Sequence, residues 1–353
     1  MHTSASYQCV RTYRNQQGHC DPLTVDFLAG LIAKKARELL QPDFGTRKKT
    51  VHFDLYTRLN PYVKQRLSSV DHGILMKSHF NASWPIRISI HGWNGQATTC
   101  SNAAIKDSYL AKGDFNVVLV DWSEYALNIN YVRVINEIYE ISQKIMKFTK
   151  FLHDTSNVKY SDMYLIGHSL GAHVAGVAGK LLKPHKYGVI YALDTSGPIH
   201  KKLNTAWRLT PSDAIYVESI QTDLMVMGFP SASLAHASFY PNWGLRQTHC
   251  PNATAMEPQF TCDHFGSLYY FAESVQNNRA FGAIRCNNFQ SIMEHKCGVE
   301  YKEYNSKIFM GGEPAVPKSG IFYLSTRKNK PFGYGQAVKM KNPVQPVVMK
   351  PVD

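Results

Sequence analysis

The chain has 353 residues, a length that suits one large α/β domain. Its composition is globular, with 44% hydrophobic and 18% charged residues, and no apolar run approaches the roughly 20 residues of a membrane-spanning helix. The formal net charge of +13 predicts attraction to anionic surfaces such as acidic phospholipids, but no nucleic-acid-binding module is recognisable, so nucleic acid is not expected as a partner.

The chain begins with a polar segment, residues 1–45, in which Thr24 can cap a helix that runs to Leu40. A single α/β domain is predicted for residues 46–335. Residues 336–353 carry prolines interleaved with lysine and valine and predict a flexible tail.

Short apolar segments alternate with helical patterns throughout the predicted domain. Strands are expected at residues 51–55, 86–90, 115–120, 162–166, 189–193, 215–221 and 318–324, helices at 131–152, 174–182 and 267–276, and a loop at 224–262. The segments at 51–55 and 86–90 alternate, whereas 115–120 is nearly all apolar, which is typical of burial on both faces of a parallel sheet. The predicted class is therefore α/β, with a mostly parallel central sheet and helices on both faces.

The sequence Gly-x-Ser-x-Gly occurs between the strand predicted at 162–166 and the helix predicted at 174–182. This is the context of a nucleophile elbow, in which a tight turn lifts the serine above the sheet edge. Gly167 and Gly171 are expected to be required as glycines, because a larger side chain at either position would collide with neighbouring residues in so tight a turn. Ser169 is therefore the candidate nucleophile of an acyl-transfer reaction.

A nucleophilic serine needs a histidine as base and a carboxylate that orients the histidine. In proteins with this elbow, the chain order is serine, then the carboxylate, then the histidine. Asp194 and Asp223 both lie at the ends of predicted strands downstream. Spacing alone does not choose between them. His236, His249 and His264 are the candidate bases, and His264 lies two residues after a cysteine that could pin its loop.

An acyl-transfer site also needs donors for the oxyanion. One donor is expected to be the backbone N–H of Leu170, the residue after the nucleophile. The other should come from a loop after an earlier strand, and the Trp93 N–H in His-Gly-Trp is placed for it. Loss of one such donor typically lowers the rate about 10²–10³-fold.

The cysteines and glycosylation sequons point to an oxidising, secretory setting. The chain has seven cysteines and no CxxC pair, which disfavours zinc ribbons and thioredoxin-type sites. Asn81 and Asn252 are in sequons and are candidate glycosylation sites. We predict a secreted, extracellular protein, although no signal peptide is visible, since the best apolar candidate at 27–33 is followed by lysines.

Seven motifs in order resemble the pancreatic-lipase-like family of secreted lipases and phospholipases A1. They are His91-Gly92-Trp93, Val120-Asp121-Trp122, the Gly167 to His173 stretch, Leu193-Asp194-Thr195-Ser196-Gly197-Pro198, Phe239-Tyr240-Pro241-Asn242, Cys262-Asp263-His264 and Pro331-Phe332-Gly333. The resemblance covers roughly residues 50–335 and implies an α/β-hydrolase fold with one catalytic domain.

The resemblance also implies roles for individual residues. Ser169 would be the nucleophile, Asp194 the orienting acid and His264 the base. The backbone amides of Trp93 and Leu170 would form the oxyanion hole. No cofactor is expected for this chemistry.

The resemblance also implies a pattern of disulfides. It implies a Cys250–Cys262 bridge that closes a surface lid and a Cys286–Cys297 bridge. Cys100 would pair with Cys9 or Cys20. The sequon at Asn252 would place a glycan on the lid.

Some positions depart from the family pattern. Thr195-Ser196 replaces Pro-Ala after the acid, Gln221 replaces a histidine, and Gly266 replaces an arginine after the base. These changes weaken the expected support around acid and base and predict reduced activity. Some family members bind structural calcium in the segment matching 205–213, where this chain offers the single carboxylate of Asp213, so no metal is expected.

The expected activity is that of phospholipase A1, acting on the sn-1 ester of phospholipids at a membrane or lipoprotein interface. The eleven residues between Cys250 and Cys262 resemble the short lid of phospholipase A1 members. The chain also ends soon after Gly333, before the second domain of large triglyceride lipases. The alternatives are a triacylglycerol lipase and a non-catalytic lipid-binding or yolk-type storage protein on the same fold.

Overall fold

Apolar runs form the centre of a ten-stranded sheet in the computed structural model, which describes residues 49–128, 130–198, 204–250, 259–298 and 307–338. Its strands are β1 His52–Tyr56, β2 Gln65–Leu67, β3 Ile86–Ile90, β4 Asn116–Asp121, β5 Met163–His168, β6 Tyr187–Leu193, β7 Ala214–Ile220, β8 Ala237–Pro241, β9 Ile284–Cys286 and β10 Gly320–Leu324. The α-helices of the same ranges are α1 His72–Met76, α2 Cys100–Lys112, α3 Ser123–Ala126, α4 Tyr131–Ser156, α5 Leu170–Leu181, α6 Gln259–Gln276 and α7 Phe289–Met293.

The strand order is β2-β1-β4-β3-β5-β6-β7-β8-β10-β9. The strands from β4 to β10 in that order run parallel, whereas the pairs β2–β1, β1–β4 and β10–β9 at the two edges are antiparallel. The register pairs Ile90 with Gly167 and His168 with Leu193, so the carboxyl ends of β3, β5 and β6 lie side by side. The predicted mostly parallel sheet is confirmed.

Two layers of helices cover the sheet. Successive side chains of a strand point to opposite faces, so apolar strands need a helical layer on each face. On β4, Val118 and Val120 pack in the cluster that includes α4 and α5, whereas Val117 and Leu119 pack in the cluster that includes α2 and α6. Helices therefore lie on both faces, as predicted. The fold is that of the α/β hydrolases.

The predicted loop at 224–262 is wrong in two places. β8 lies inside it, fully buried between β7 and β10. It ends at Pro241, whose missing N–H is tolerated at a strand end. The helix predicted at 267–276 begins earlier, at Gln259, so His264 lies on α6 rather than before it.

A buried ion pair joins β3 to the segment that precedes β10. Arg87 donates from Nε and Nη2 to the two carboxylate oxygens of Glu313, at 2.8 and 2.6 Å. The guanidinium lies 3.6 Å from the centre of the Tyr164 ring. A two-pronged pair of this kind is among the stronger hydrogen-bonded contacts in proteins, and loss of one partner would leave an uncompensated charge in the core.

Several predictions fall on residues that the structure does not describe. These are the helix at 24–40, the tail beyond residue 338, Cys9, Cys20 and Asn252. The domain boundaries at 46 and 335 stay predictions. None of the helices in the described ranges is long and apolar enough to cross a membrane.

Candidate active site

Ser169 lies at the turn between β5 and α5, where it caps the helix. Its backbone has φ +55° and ψ −122°, a conformation that L-residues rarely adopt and that is common at functional sites. Its backbone N–H donates to the carbonyl of Leu193 at 2.9 Å, which anchors the turn to the end of β6. The serine is therefore held rigidly at the sheet edge.

The two glycines of the turn leave room for other backbone segments. A Cβ on Gly167 would lie 2.5 Å from the carbonyl oxygen of Gly171. A Cβ on Gly171 would lie 2.3 Å from the carbonyl oxygen of Ile90 on β3. The predicted requirement for glycine at both positions is confirmed.

Asp194 and His264 form a buried pair beside the turn. Asp194 follows β6, and its Oδ2 accepts a hydrogen bond from His264 Nδ1 at 2.5 Å. Its Oδ1 accepts the backbone N–H groups of Thr222 at 2.6 Å and Asp223 at 2.9 Å. Three donors therefore stabilise a carboxylate that is fully buried.

His168 places α6 against the elbow. Its ring centre lies 4.5 Å from that of His264, and its Nε2 donates to the His264 backbone carbonyl at 3.2 Å. Burial, with a smaller contribution from His264, holds the pKa of His168 well below its usual range. His168 is thus a neutral packing and donor group, and it positions the helix that carries His264.

The remaining candidates for acid and base lie in other contacts. The ring of His236 accepts a backbone N–H of β7 at 3.0 Å, and the ring of His249 is hydrogen-bonded to the Tyr270 hydroxyl at 2.9 Å. The side chain of Asp223 accepts backbone N–H groups of its own turn. The structure thus brings together one of the two candidate aspartates and one of the three candidate histidines.

The loop after β3 runs directly against the serine. A Cβ on Gly92 would lie 2.7 Å from Ser169 Cβ and 3.3 Å from Ser169 Oγ. The next residue, Trp93, is held by its indole N–H, which donates to a backbone carbonyl at 2.7 Å. Leu170 is the first residue of α5, where backbone N–H groups have no partner within the helix. Both candidate oxyanion donors therefore belong to segments adjacent to the serine.

Ser196 links the acid turn to this loop, a contact that the sequence did not reveal. Its hydroxyl is hydrogen-bonded to the Tyr131 hydroxyl at 2.6 Å, and the Tyr131 ring packs edge-on against Trp93. Its backbone carbonyl accepts from His173 Nε2 at 2.8 Å. An alanine, as in the family pattern to which the motifs point, could not make this side-chain hydrogen bond.

The other departures affect side-chain contacts near the acid and base. Gln221 is buried, and neither its amide nitrogen nor its oxygen has a hydrogen-bond partner among the described residues. A Cβ on Gly266 would already lie 3.1 Å from His249 Cε1, so a larger side chain would displace that ring. Asp194 nevertheless keeps its two backbone donors. Reduced activity stays a prediction.

Two disulfides are present in the described ranges, Cys250–Cys262 and Cys286–Cys297. The first ties the start of α6 to the segment after β8. His249 lies next to its two sulfur atoms, but cysteines joined in a disulfide cannot act as thiolate ligands for a metal. Asn81 is partly exposed, and its Oδ1 accepts from the backbone N–H and hydroxyl of Ser83; its glycosylation stays a prediction.

A lysine meets the carboxylate in the segment where some family members bind calcium. Lys180 on α5 lies 2.5 Å from Asp213, which is fully buried, and donates to Thr210 Oγ1 at 3.1 Å. The backbone N–H of Thr210 also donates to the same carboxylate at 2.7 Å. The ammonium already supplies the positive charge, so this donor set does not fit a divalent cation.

We expect Lys180→Met to lower the free energy of unfolding by about 3 kcal/mol, because the buried Asp213 carboxylate loses its counter-charge. Urea denaturation of wild type and variant measures the difference. The double variant Lys180→Met/Asp213→Asn, which removes both charges, should regain part of the loss. A chelator should leave the melting temperature of the wild type unchanged, and a clear fall would contradict this account.

A parallel sheet between helical layers, with a strained serine between strand and helix, defines the α/β hydrolases. A family model described as Lipase matches residues 30–332, and the chain belongs to that family. The resemblance inferred from the motifs is confirmed.

Three relatives illustrate the similarity. Lipase member H of Danio rerio is 31% identical over 256 residues, which cover 72% of this chain and 55% of that protein. Phospholipase A1 member A of Bos taurus is 30% identical over 255 residues, covering 72% and 54%. Pancreatic lipase-related protein 3 of Homo sapiens is 29% identical over 278 residues, covering 74% and 58%. The chain spans about half the length of the curated relatives it matches.

Proposed function

We propose that the protein is a secreted serine hydrolase of lipid carboxylic esters, with the sn-1 acyl ester of glycerophospholipids as its substrate. The observation that carries the proposal is the buried hydrogen bond between Asp194 and His264 next to the strained turn of Ser169. A carboxylate, an imidazole and a serine in this order and fold are the parts of an acyl-transfer site. The catalytic unit is taken as residues 46–335.

The proposed reaction proceeds through an acyl-enzyme. His264 takes the proton of Ser169 as its Oγ attacks the ester carbonyl, while Asp194 holds the Nδ1 proton and stabilises the imidazolium. The backbone N–H groups of Trp93 and Leu170 bind the developing oxyanion. His264 then gives its proton to the departing lysophospholipid alcohol. Water, activated by the same histidine, releases the fatty acid.

The preference for phospholipid rests on the segment between Cys250 and Cys262. It encloses eleven residues, a length that resembles the short lid of phospholipase A1 members, and a short lid would leave space for a polar head group beside the scissile ester. Phospholipase A1 member A is among the relatives, but so is lipoprotein lipase of Bos taurus at 28% identity. Triacylglycerol is therefore the rival substrate.

The proposed location and partners follow from disulfides and charge. Two disulfides are typical of an oxidising compartment, which supports secretion. The net charge of +13 supports binding to anionic lipid surfaces.

The test compares fatty-acid release from phosphatidylcholine and from triolein, both presented as mixed micelles in the same detergent. We expect release from phosphatidylcholine labelled at sn-1 to exceed release from triolein by about tenfold, equivalent to about 1.4 kcal/mol in transition-state binding. Ser169→Ala at the same concentration provides the blank.

Each alternative predicts a different result. Faster release from triolein would identify a triacylglycerol lipase. Vesicle binding by folded protein, without fatty-acid release from either lipid, would support the non-catalytic lipid-binding function. That alternative is favoured by the Gln221 side chain, which has no hydrogen-bond partner in the part of the chain that the structure describes.

A further inference from the structure

Asp223, which the proposed reaction does not use, is a second buried carboxylate next to the acid–base pair. Its backbone N–H donates to Oδ1 of Asp194 at 2.9 Å, and the residue is only 2% exposed. Its side chain accepts backbone N–H groups from Met225 and Val226 at 3.1 Å and from Met227 at 2.9 Å. Those three donors can stabilise a negative charge that burial would otherwise disfavour.

The turn that Asp223 organises is fastened to the turn of Asp194. Gly228 donates its backbone N–H to the Asp223 carbonyl at 2.6 Å, and Gly197 donates to the Met227 carbonyl at 2.7 Å. A Cβ on Gly228 would lie 2.1 Å from the Asp223 carbonyl oxygen and 3.1 Å from Oδ1 of Asp194. The two aspartates therefore sit in one rigid, closely packed unit.

The charge of Asp223 interacts with both members of the acid–base pair. Burial and the nearby Asp194 raise the pKa of Asp223 to about 6, while backbone N–H groups and His264 act in the opposite direction. The titratable groups that act on it are thus Asp194 on the β6 turn and His264 on α6. An interaction free energy is shared by both partners, so a negative charge on Asp223 stabilises a positive charge on the neighbouring ring as much as the reverse.

We propose that Asp223 is a positioning residue whose negative charge, on the turn fastened to that of Asp194, stabilises the imidazolium that His264 becomes during catalysis. This inference rests on the proposed function. Asp223 touches no reacting atom and acts through the pair that does. Protonation of Asp223 in mildly acidic solution removes the extra charge, so the rate depends on two carboxylates rather than one.

The test is the pH dependence of kcat/KM on a soluble ester, p-nitrophenyl butyrate. Asp223→Asn keeps the shape of the side chain and removes the charge. We expect Asp223→Asn to lower the pH-independent maximum of kcat/KM about 3- to 10-fold. The fall of kcat/KM on the acid side of the profile, its acid limb, should move about 0.5 to 1 pH unit lower, because the imidazole then loses its proton more readily. Asp223→Glu keeps the charge and disturbs the turn, so it should lose rate without moving the limb.

An Asp223→Asn variant with an unmoved acid limb would overturn the inference and would reduce Asp223 to a structural residue of its turn. Thermal unfolding of both variants establishes that they fold. The downfield proton resonance of His264 Nδ1, identified by its loss in His264→Gln, gives a second readout that needs no turnover. Its titration midpoint should also fall in Asp223→Asn, and an unchanged midpoint would contradict the proposal. Wild type with no Ser169-dependent hydrolysis would refute the proposed function, while this midpoint would still decide the coupling.

Discussion

Ser169→Ala is expected to abolish covalent labelling by a fluorescent alkyl fluorophosphonate and to lower ester turnover by about 10⁶-fold. The substitution removes only the hydroxyl, and the Cβ that packs against Gly92 stays in place. The backbone hydrogen bond from residue 169 to Leu193 is also kept. Folding should therefore be intact, and labelling is measured by gel fluorescence with a lipid or detergent interface present.

The matched control is Ser233→Ala, at an exposed serine outside the Gly-x-Ser-x-Gly motif. It should label as the wild type does. Labelling that survives in Ser169→Ala would place the nucleophile elsewhere. Folded wild type that stays unlabelled at a lipid interface would favour the non-catalytic protein on the same fold.

Asp194→Asn is expected to lower kcat by about 10⁴-fold while the protein still folds. The two backbone N–H groups of Thr222 and Asp223 hold one oxygen of residue 194. An asparagine would keep its oxygen there and turn its NH₂ group toward His264 Nδ1. That arrangement stabilises the tautomer with the proton on Nε2, which cannot accept the proton of the serine.

The measurement is kcat on p-nitrophenyl butyrate, with thermal unfolding as the check on folding. Asp223→Asn serves as the comparison, since it removes the second candidate carboxylate and should lose no more than about tenfold by its indirect effect. Near-normal turnover in Asp194→Asn together with an inactive Asp223→Asn would assign the acid role to Asp223 instead.

The central sheet was predictable because its strands are either nearly all apolar or alternate apolar with polar residues. β4 is a nearly continuous apolar run, as expected of a strand buried on both faces. β3 is equally buried although it carries Arg87 and Ser89, whose side chains are hydrogen-bonded to Glu313 and Asn102. The elbow was predictable for a different reason. Its turn tolerates no Cβ at Gly167 or Gly171, so the geometry requires glycines that can be recognised in the sequence.

Other features depend on contacts between residues far apart in the chain, and no local sequence pattern indicates them. β8 includes serine and ends in proline, and it becomes a strand because β7 and β10 pair with it on either side. Lys180 and Asp213 look unrelated until the fold brings them together. The choice between Asp194 and Asp223 is of the same kind, since both follow strands and only the position of α6 distinguishes them.

The ion pair between Arg87 and Glu313 has a consequence for how the chain is made. The two residues are 226 positions apart, so at 5–20 residues per second the ribosome needs about 10 to 45 s to supply the partner of Arg87. Until then the guanidinium lacks its buried carboxylate partner, and burying it with β3 would cost several kcal/mol. Stable burial of β3 is therefore disfavoured until Glu313 has been synthesised, and the apolar residues of this strand stay exposed during that interval.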